Sequence, residues 1–495
     1  MTIRLKEVLH GIDIVAASGL NTEITGIHYD SRQVKPGFIF VCIKGFRVDG
    51  HSFVKDALER GAVGVIGERK VTVPEGVAWV QVSDTRSALA SISANFYGHP
   101  SRQLFLCGVT GTNGKTTTTH LIEAVLRAGG EKTGLIGTVW NKVGEQKRAV
   151  VHTTPESLEL QALLREMADA GVGAVAMEVS SHGLVLQRVA QCEFDAAVFT
   201  NLTQDHLDFH KDMREYLEAK MLLFRGLGRN RTKRRPCYAV VNADDPSGPE
   251  IVENTSVPVI TYGIREKSDL KAEDVKLSPR GISYILVYRG ERLPFTLSLP
   301  GAFNVYNSLA AIGVGLQEGI PVQVIRDALR EVKGVPGRFE VVDAGQDFTV
   351  IVDYAHTPDG LENVLRTARA VTGGRLITVF GCGGDRDPGK RPLMGKISGE
   401  LSDYTVITSD NPRTEDPGRI IEQIVLGINQ VGGAKFTVEP DRSEAIRIAL
   451  HYARKGDLVI IAGKGHEDYQ IIGDRKIPFD DRRVARNIIE KEIVV

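Results

Sequence analysis

Residues 104–128 read "LFLCGVTGTNGKTTTTHLIEAVLRA", and the order of their parts decides the fold. An apolar run rich in strand formers enters a loop of glycine, threonine and asparagine. The chain then leaves through a stretch whose apolar residues recur at helical spacing. Glycines at that junction let backbone amides close around phosphate oxygens; Lys115 adds a positive charge and the Thr116 hydroxyl offers a ligand to magnesium. The segment Gly111, Thr112, Asn113, Gly114, Lys115, Thr116 and Thr117 is therefore read as a nucleotide phosphate loop. The strict eight-residue pattern would begin on glycine, where this chain has Val109, with Gly108 one place earlier. That departure points away from the common GTPases and motor ATPases.

The same alternation extends outward. "GAVAMEV", "DAAVFTNL" and "YAVVN" follow as further apolar runs, which predicts a largely parallel sheet covered by helices. Upstream, "FIFVCIKG" and "GVAWVQV" read as strands, "RSALASISANFYG" as a helix and "GHPSRQ" (98–103) as a linker. Downstream, a break at "KGVPGRFE" (333–340) opens a block that repeats strand then charged or glycine-rich loop four times: "FTVIVDYAH", "RLITVFGCGGDRD", "YTVITSDNPR" and "LVIIAGKGHED". The expected fold class is α/β with three domains. Residues 1–99 form a smaller N-terminal α/β domain, 100–335 a central phosphate-loop ATPase with a mostly parallel sheet, and 336–495 a C-terminal Rossmann-like domain. Length agrees, since 495 residues exceed what one core holds.

Composition excludes several classes. Lysine plus arginine number 61 against 62 acids, a net charge of -1, so no whole-chain basic excess argues for a nucleic-acid partner. Five scattered cysteines without CxxC spacing fit free thiols in a reducing compartment. No window reaches the ~18 apolar residues of a spanning helix, and the charged N-terminus does not read as a secretory signal. A cytoplasmic protein with no membrane insertion is expected. Metal chemistry has candidates in Glu178, at the end of "AMEV", and in Asp205 and His206 of "TNLTQDHLDFH" (200–210). Magnesium prefers oxygen, so Glu178 suits it as ligand or water-holder, and His206 suits a second, less demanding metal position.

Ten stretches in order, "GVTGTNGKTTT", "HTTPE", "MEVSSHGL", "NLTQDHLDFH", "GAFNVYNSLAA", "PGRFE", "DYAHTPDGL", "FGCGGDRDPGKRPLM", "DNPR" and "AGKGHEDYQ", resemble the Mur ligases, the ATP-dependent amide-forming family of peptidoglycan precursor synthesis. The resemblance covers nearly the whole chain. It implies an N-terminal domain for the UDP end of UDP-N-acetylmuramoyl-L-alanyl-D-glutamate, a central ATPase, and a C-terminal domain that closes over ATP and brings the incoming amino acid. It implies an acyl phosphate formed from ATP, then attacked by an amino group, and a monomer is expected. Lys220, in "REYLEAKMLLF", corresponds to a family lysine that is carbamylated into a magnesium-binding anion. Together with Lys115, Glu178 and His206 it makes up the expected catalytic set, and with Thr116, Glu178 and His206 the expected metal set.

Further residues carry over in the same way. Ser31 matches a uridine-side serine, and Thr153, Thr154, Ser180 and Arg188 match positions that hold the muramoyl peptide, while "LQRV" departs from the family and leaves Gln187 without a role. "KGFRVDGHSF" (44–53) keeps the family's "DGH" but not its lead-in, and contributes no site residue. Asn304 matches an adenine-side residue, Arg338 a nucleotide contact from the hinge, and Asp353 and His356 ribose and triphosphate contacts. The stretch "TSDNPRTEDP" (408–417) is by itself a surface turn. In the family it separates members that take meso-diaminopimelate from those that take L-lysine. Diaminopimelate has an extra carboxylate that a planar arginine fork binds bidentately, so Arg413, with Arg386, Asp410, Asn411, Pro412, Gly463 and Glu467, is the expected diaminopimelate cage. A folylpolyglutamate- or cyanophycin-type ligase, a phosphate-loop hydrolase and a non-catalytic nucleotide regulator are the alternatives. The N-terminal block and "DNPR" argue against the first, the C-terminal loop set against the second, and the intact Lys115, Thr116, Glu178, His206 and Lys220 against the third.

Overall fold

Three separate sheets organise the chain in the computed structural model, which describes residues 2–45, 48–207, 209–229, 231–278 and 281–494; Phe46, Arg47 and Asp208 of the stretches quoted above lie outside them. The first sheet runs in the order Ile14–Ser18, Ala78–Val82, Gly64–Gly67, Phe38–Val41, Gly26–His28, parallel except at the Ile14–Ser18 edge. Asp84 caps the helix Thr85–Phe96 by accepting from the backbone N–H groups of Arg86 and Ser87, as short acidic side chains do at exposed helix N-termini. The segment Pro100–Gln103 then leads into the second sheet as a short helical turn with Pro100 and Ser101 buried, a more ordered passage than a linker.

The second sheet has eleven strands, and Phe105–Thr110 lies inside it between Ala174–Glu178 and Ala196–Phe199, parallel to both. Chain order reverses across that strand: the next four strands, Thr133–Ile136 and Ala174–Glu178 among them, add on one side, and Ala196–Phe199, Tyr238–Asn242 and Val259–Gly263 on the other. Such a reversal leaves a crevice beyond the strand's carboxyl end, where the glycine-rich loop emerges. The helix Lys115–Ala128 buries Leu121, Ile122, Val125 and Leu126, a spacing of three and four that puts them on one face. They pack with Leu309 and Ile312 of the helix Phe303–Gln317 in a single core cluster. Each such side chain contributes about 1.5–3 kcal/mol on burial, which fastens the phosphate loop between two rigid elements.

Sequence reading missed the sheet's far edge. Leu270–Ser278, Gly281–Tyr288 and Glu291–Leu297 extend it as an antiparallel meander of three strands. Their alternation of buried and exposed residues is the signature of a sheet wet on one face.

The third sheet runs Glu340–Val341, Thr349–Asp353, Leu458–Ala462, Leu376–Phe380, Tyr404–Ile407, Phe436–Val438, all parallel apart from the first. The four strands expected from the repeat are its centre, and their loops leave from one end. Phe436–Val438 and the hairpin Tyr469–Ile472/Arg475–Pro478 were not read from the sequence. Both strands of that hairpin are short and largely exposed, and so lack an apolar run.

Candidate active site

The phosphate loop is held from below and from the side. Gly111 sits at φ +146°, and a Cβ there would overlap the Thr200 hydroxyl. Thr200 in turn donates to the Asn113 carbonyl at 2.7 Å, and Asn201 Oδ1 accepts from the Asn113 N–H at 2.9 Å. Gly114, at φ +85°, would drive a Cβ into Asn307, which accepts from Thr118 and is itself tied to Asn304. Asn304 thus braces the floor of the loop, with its own amide on the Pro300 carbonyl at 2.7 Å. Lys115 Nζ folds back onto the carbonyls of Gly111 and Thr112, at 2.9 and 2.7 Å.

A second lysine converges on the same carbonyl. Lys220 is 1% exposed; its Nζ donates to Gly111 O at 2.9 Å and lies 4.0 Å over the Tyr216 ring. Burial, together with the neighbouring Lys115 cation, pushes its ammonium well below the usual lysine range. His206, held at φ 56° and ion-paired with Asp205 at 3.4 Å, has its ring 6.0 Å from the same tyrosine. Burial pushes the Asp205 carboxyl up, but His206, His356 and Lys115 together hold it below its ordinary value.

Glu178 closes the front. One of its oxygens accepts from the Thr116 hydroxyl at 3.0 Å, the other from the Thr138 N–H at 2.7 Å. Its strand end is met by Thr154, from the loop before the helix Ser157–Asp169, whose hydroxyl donates to the Glu178 carbonyl at 3.0 Å and lies 3.1 Å from Ser180 Oγ. Thr153 and Thr138 hydroxyls are 3.1 Å apart. Arg188 donates to the Thr154 carbonyl at 2.9 Å and pairs with Glu156 at 2.7 Å. These residues form one continuous wall. Ser31 stands apart from it in the N-terminal domain, buried at the start of the short helical turn Ser31–Gln33, with its hydroxyl on Asp56. Gln187, at φ 57°, donates to Asp84 at 2.9 Å and so ties the wall to the cap of the Thr85–Phe96 helix.

The C-terminal domain meets the phosphate loop through Arg338 and Asp359. Arg338 Nη2 donates to the Thr116 hydroxyl at 3.1 Å while its guanidinium lies over Tyr354. Asp353 accepts from the backbone of Phe339 and Ala355, at 2.6 and 2.8 Å, so its carboxylate fixes the arginine's hinge; burial raises its pKa against the pull of Arg338. His356 is held by the Tyr354 carbonyl at 2.8 Å, and burial pushes its pKa below the ordinary histidine value. Sequence reasoning missed Asp359, in the quoted "DYAHTPD": its Oδ2 accepts from Asn113 Nδ2 at 2.7 Å and from the Thr203 hydroxyl at 2.9 Å.

Beyond the four parallel strands, the remaining loops interlock. Gly384 has no room for a Cβ beside the Pro412 carbonyl, and its N–H donates to Asn411 O at 2.9 Å. Arg413, half-buried at φ 51°, donates to Gly384 O at 2.7 Å, and its backbone pairs with Ile471 and Gly473 of the hairpin. Arg386 Cγ and Arg413 Nη1 both border Gly383, although Arg386 is itself exposed and, among the described residues, donates to the Asp385 carbonyl. Asp410 and Asn411 are buried, and Gly463, at φ +118°, faces Asp410.

The family models describe these same regions. The Mur ligase middle domain matches residues 109–315, the glutamate ligase domain of Mur ligases 337–465, and the Mur ligase family catalytic domain 23–97. A relative from Syntrophomonas wolfei subsp. wolfei, named UDP-N-acetylmuramoyl-L-alanyl-D-glutamate--2,6-diaminopimelate ligase, is 50% identical over 99% of this chain and 100% of its own. The chain belongs to the Mur ligase family. A relative of the same name from Geobacillus thermodenitrificans is 52% identical over 96% of each chain. A solved structure with that name superposes at a TM-score of 0.69 with 33% identity, covering 99% of both chains.

One charged group of this Mur ligase was absent from the sequence reading. Lys464, within "AGKGHED", is fully buried and donates to Asn411 Oδ1 at 3.0 Å and Glu467 Oε2 at 3.1 Å, with Asp410 at 3.5 Å. Glu467, expected to read a ligand ammonium, therefore already has an ammonium partner of the protein's own. Burial makes the pairing necessary, since a buried ammonium has to be matched by acids, and burial is what a single sequence does not show.

Proposed function

We propose that this chain is an ATP-dependent ligase joining meso-2,6-diaminopimelate to the D-glutamyl carboxylate of UDP-N-acetylmuramoyl-L-alanyl-D-glutamate, releasing ADP and phosphate. The observation that carries the reading is Arg413, a guanidinium held half-buried beside Gly383, with the loops at 383–386, 410–413 and 463–467 closing around one place at the carboxyl ends of parallel strands. An arginine fork there suits a carboxylate, and only diaminopimelate of the two family substrates carries one at its far end. Residues 1–99 take the UDP end through Ser31, 100–335 hold ATP and the peptide, and 336–495 bring the amino acid.

The ATP triphosphate occupies the amides of Gly111–Thr117, and Lys115 leaves its loop carbonyls for the phosphate oxygens. Thr153, Thr154, Ser180 and Arg188 align the D-glutamyl carboxylate for in-line attack on the γ-phosphate, forming the acyl phosphate. Arg338 and His356, carried in by the C-terminal domain, border the same phosphates from the opposite side. Arg386, Asp410, Asn411, Pro412, Arg413, Gly463 and Glu467 then hold diaminopimelate so that its amino group reaches the acyl carbon, and phosphate leaves. Excluding water from the acyl phosphate falls to the closed contact of Asp359 with Asn113.

The donor set fits magnesium: Thr116 Oγ1 and a Glu178 oxygen lie 3.0 Å apart, oxygen-only as that ion prefers, with substrate phosphates completing its shell. Thr116 and Glu178 would hold the ion, which would supply positive charge to offset the mutual repulsion of carboxylate and triphosphate. Lys220 fits carbamylation. Its amine is buried beside another cation, which pushes its pKa well below the usual lysine range and so favours the unprotonated amine that attacks carbon dioxide, and as N6-carboxylysine it would join His206 across Tyr216 in holding a second ion. No helix among the described residues is long and apolar enough to cross a membrane; a cytoplasmic monomer acting on soluble precursors completes the reading.

The test offers purified protein UDP-N-acetylmuramoyl-L-alanyl-D-glutamate, ATP and magnesium, with diaminopimelate and L-lysine side by side, and records product mass. A tripeptide mass with diaminopimelate alone is expected. Ligation of lysine in preference, or of neither, overturns it.

A further inference from the structure

Two of the loops assigned to the amino acid leave strands that do not touch each other. Asp410 follows Tyr404–Ile407 and Gly463 follows Leu458–Ala462, and Leu376–Phe380 lies between them in the sheet. That middle strand ends in Gly381, where a Cβ would overlap the Thr408 carbonyl, so its own side chains cannot bridge the gap. A buried arginine does so from below. Arg442, the first residue of the helix Arg442–Tyr452, has a fully buried side chain; Nη2 donates to Ala462 O at 3.0 Å and Nη1, more weakly, to Ser409 O at 3.4 Å. These carbonyls belong to the residues immediately before Gly463 and Asp410. The rest of its fork is bound by Asp481, also fully buried, at 2.7 Å through both oxygens.

A buried ion pair is a weak source of stability, because desolvating two charges offsets most of their attraction. Its geometry here points to another use. Asp481 orients the guanidinium, and each remaining N–H is aimed at the carbonyl that sets where a substrate loop begins. On the other side of the same two loops, Lys464 joins Asn411, Asp410 and Glu467, so the loops are tied both beneath and within the site.

We propose that Arg442, oriented by Asp481, is a positioning residue that sets the spacing between the Asp410–Arg413 and Gly463–Glu467 loops and thereby the affinity for the incoming amino acid. This rests on the reading of those loops as the diaminopimelate site. Neither residue caps its helix, since Asp441 and Asp480 do that, so the pair can be replaced without unwinding either end.

The test is the full-length double variant Arg442→Met/Asp481→Leu, which keeps volume and removes both charges and the carbonyl donors. KM for diaminopimelate, ATP and the UDP-dipeptide is measured beside wild type. The expected result is a folded protein whose KM for diaminopimelate rises at least about tenfold, the scale of a lost charged hydrogen bond, with the KM for ATP within about twofold. An unchanged KM for diaminopimelate overturns the proposal. If the double variant does not fold, Arg442→Lys decides, because an ammonium lacks the fork that serves both carbonyls and Asp481 together: a selective rise in the diaminopimelate KM supports the brace, and parallel changes for all substrates, or none, overturn it. Wild type failing to use diaminopimelate would refute the site reading instead, and is seen before any variant is made.

Discussion

Arg413 occupies the left-handed region at φ 51°, a conformation uncommon for a residue with a side chain. The neighbouring structure holds it there: its N–H donates to Ile471 O, its carbonyl accepts from Gly473 and its guanidinium lies on Gly384. The other charges of "TSDNPRTEDP" are equally committed. Glu415 binds Arg391 bidentately at 2.9 Å, and Asp416 caps the helix Pro417–Ile428. With Arg413 as the proposed carboxylate-binding fork, Arg413→Ala is expected to lower discrimination between diaminopimelate and lysine by up to the order of 10⁴-fold. ATP affinity should hardly move, and competition assays with both amino acids measure the ratio. At Gly111 the demand is steric instead: Gly111→Ala meets the Thr200 hydroxyl in a backbone region closed to alanine. ATP binding measured by calorimetry should weaken at least about tenfold, in line with ~1–3 kcal/mol of strain.

At the scale of elements, the helix Pro358–Val371 presents Asp359 in its first turn, where the helix dipole favours an acid. The side chain reaches across to Asn113 and Thr203. A carboxylate accepting two hydrogen bonds between domains is worth ~1.5–3 kcal/mol for each charged bond before solvent competition. Asp359→Ala is expected to cut kcat ten- to a hundredfold while ATP still binds, and small-angle scattering should show a more extended particle. Asp359→Asn, whose amide oxygen still accepts, should fall between. Equal scattering profiles for wild type and Asp359→Ala would show that this contact does not hold the domains closed.

Across the whole molecule, burial moves histidines one way. His28, His99, His120, His152, His356 and His466 are all pushed below their ordinary value chiefly by desolvation, His466 down to about 3. A base with a depressed folded pKa binds fewer protons folded than unfolded once the pH drops below the unfolded value of ~6.5. The histidine contribution to stability should therefore be level above neutrality and fall as pH drops from about 6.5 towards 3, by up to ~1.4 kcal/mol per pH unit from His466 alone. Denaturant midpoints between pH 8 and 5 measure this. His466→Gln should fall less steeply, and parallel curves would clear His466 of the effect.

How much of this was legible depended on range. Local patterns sufficed for "TGTNGKTT", because a strand, a glycine-rich loop and an amphipathic helix follow one another within a few residues. The four C-terminal strand-end loops were legible for the same reason, each being an apolar run that stops at glycine or charge. The short exposed strands at 436–438 and 469–478 carried no such run. Lys464, Asp359 and Arg442 stood in view, yet a single sequence does not say which lysine, aspartate or arginine is buried, since that follows from which strands become neighbours. The sequence by itself determined the α/β class, the phosphate loop and the residue types that gather at strand ends. Tertiary structure alone decided that Lys115 and Lys220 share the Gly111 carbonyl, that Glu467 is already paired with Lys464, and that Arg442 spans two strands kept apart by a third. Those facts depend on burial and on contacts between residues far apart in the chain, where desolvation gives a charge its partner and its consequence.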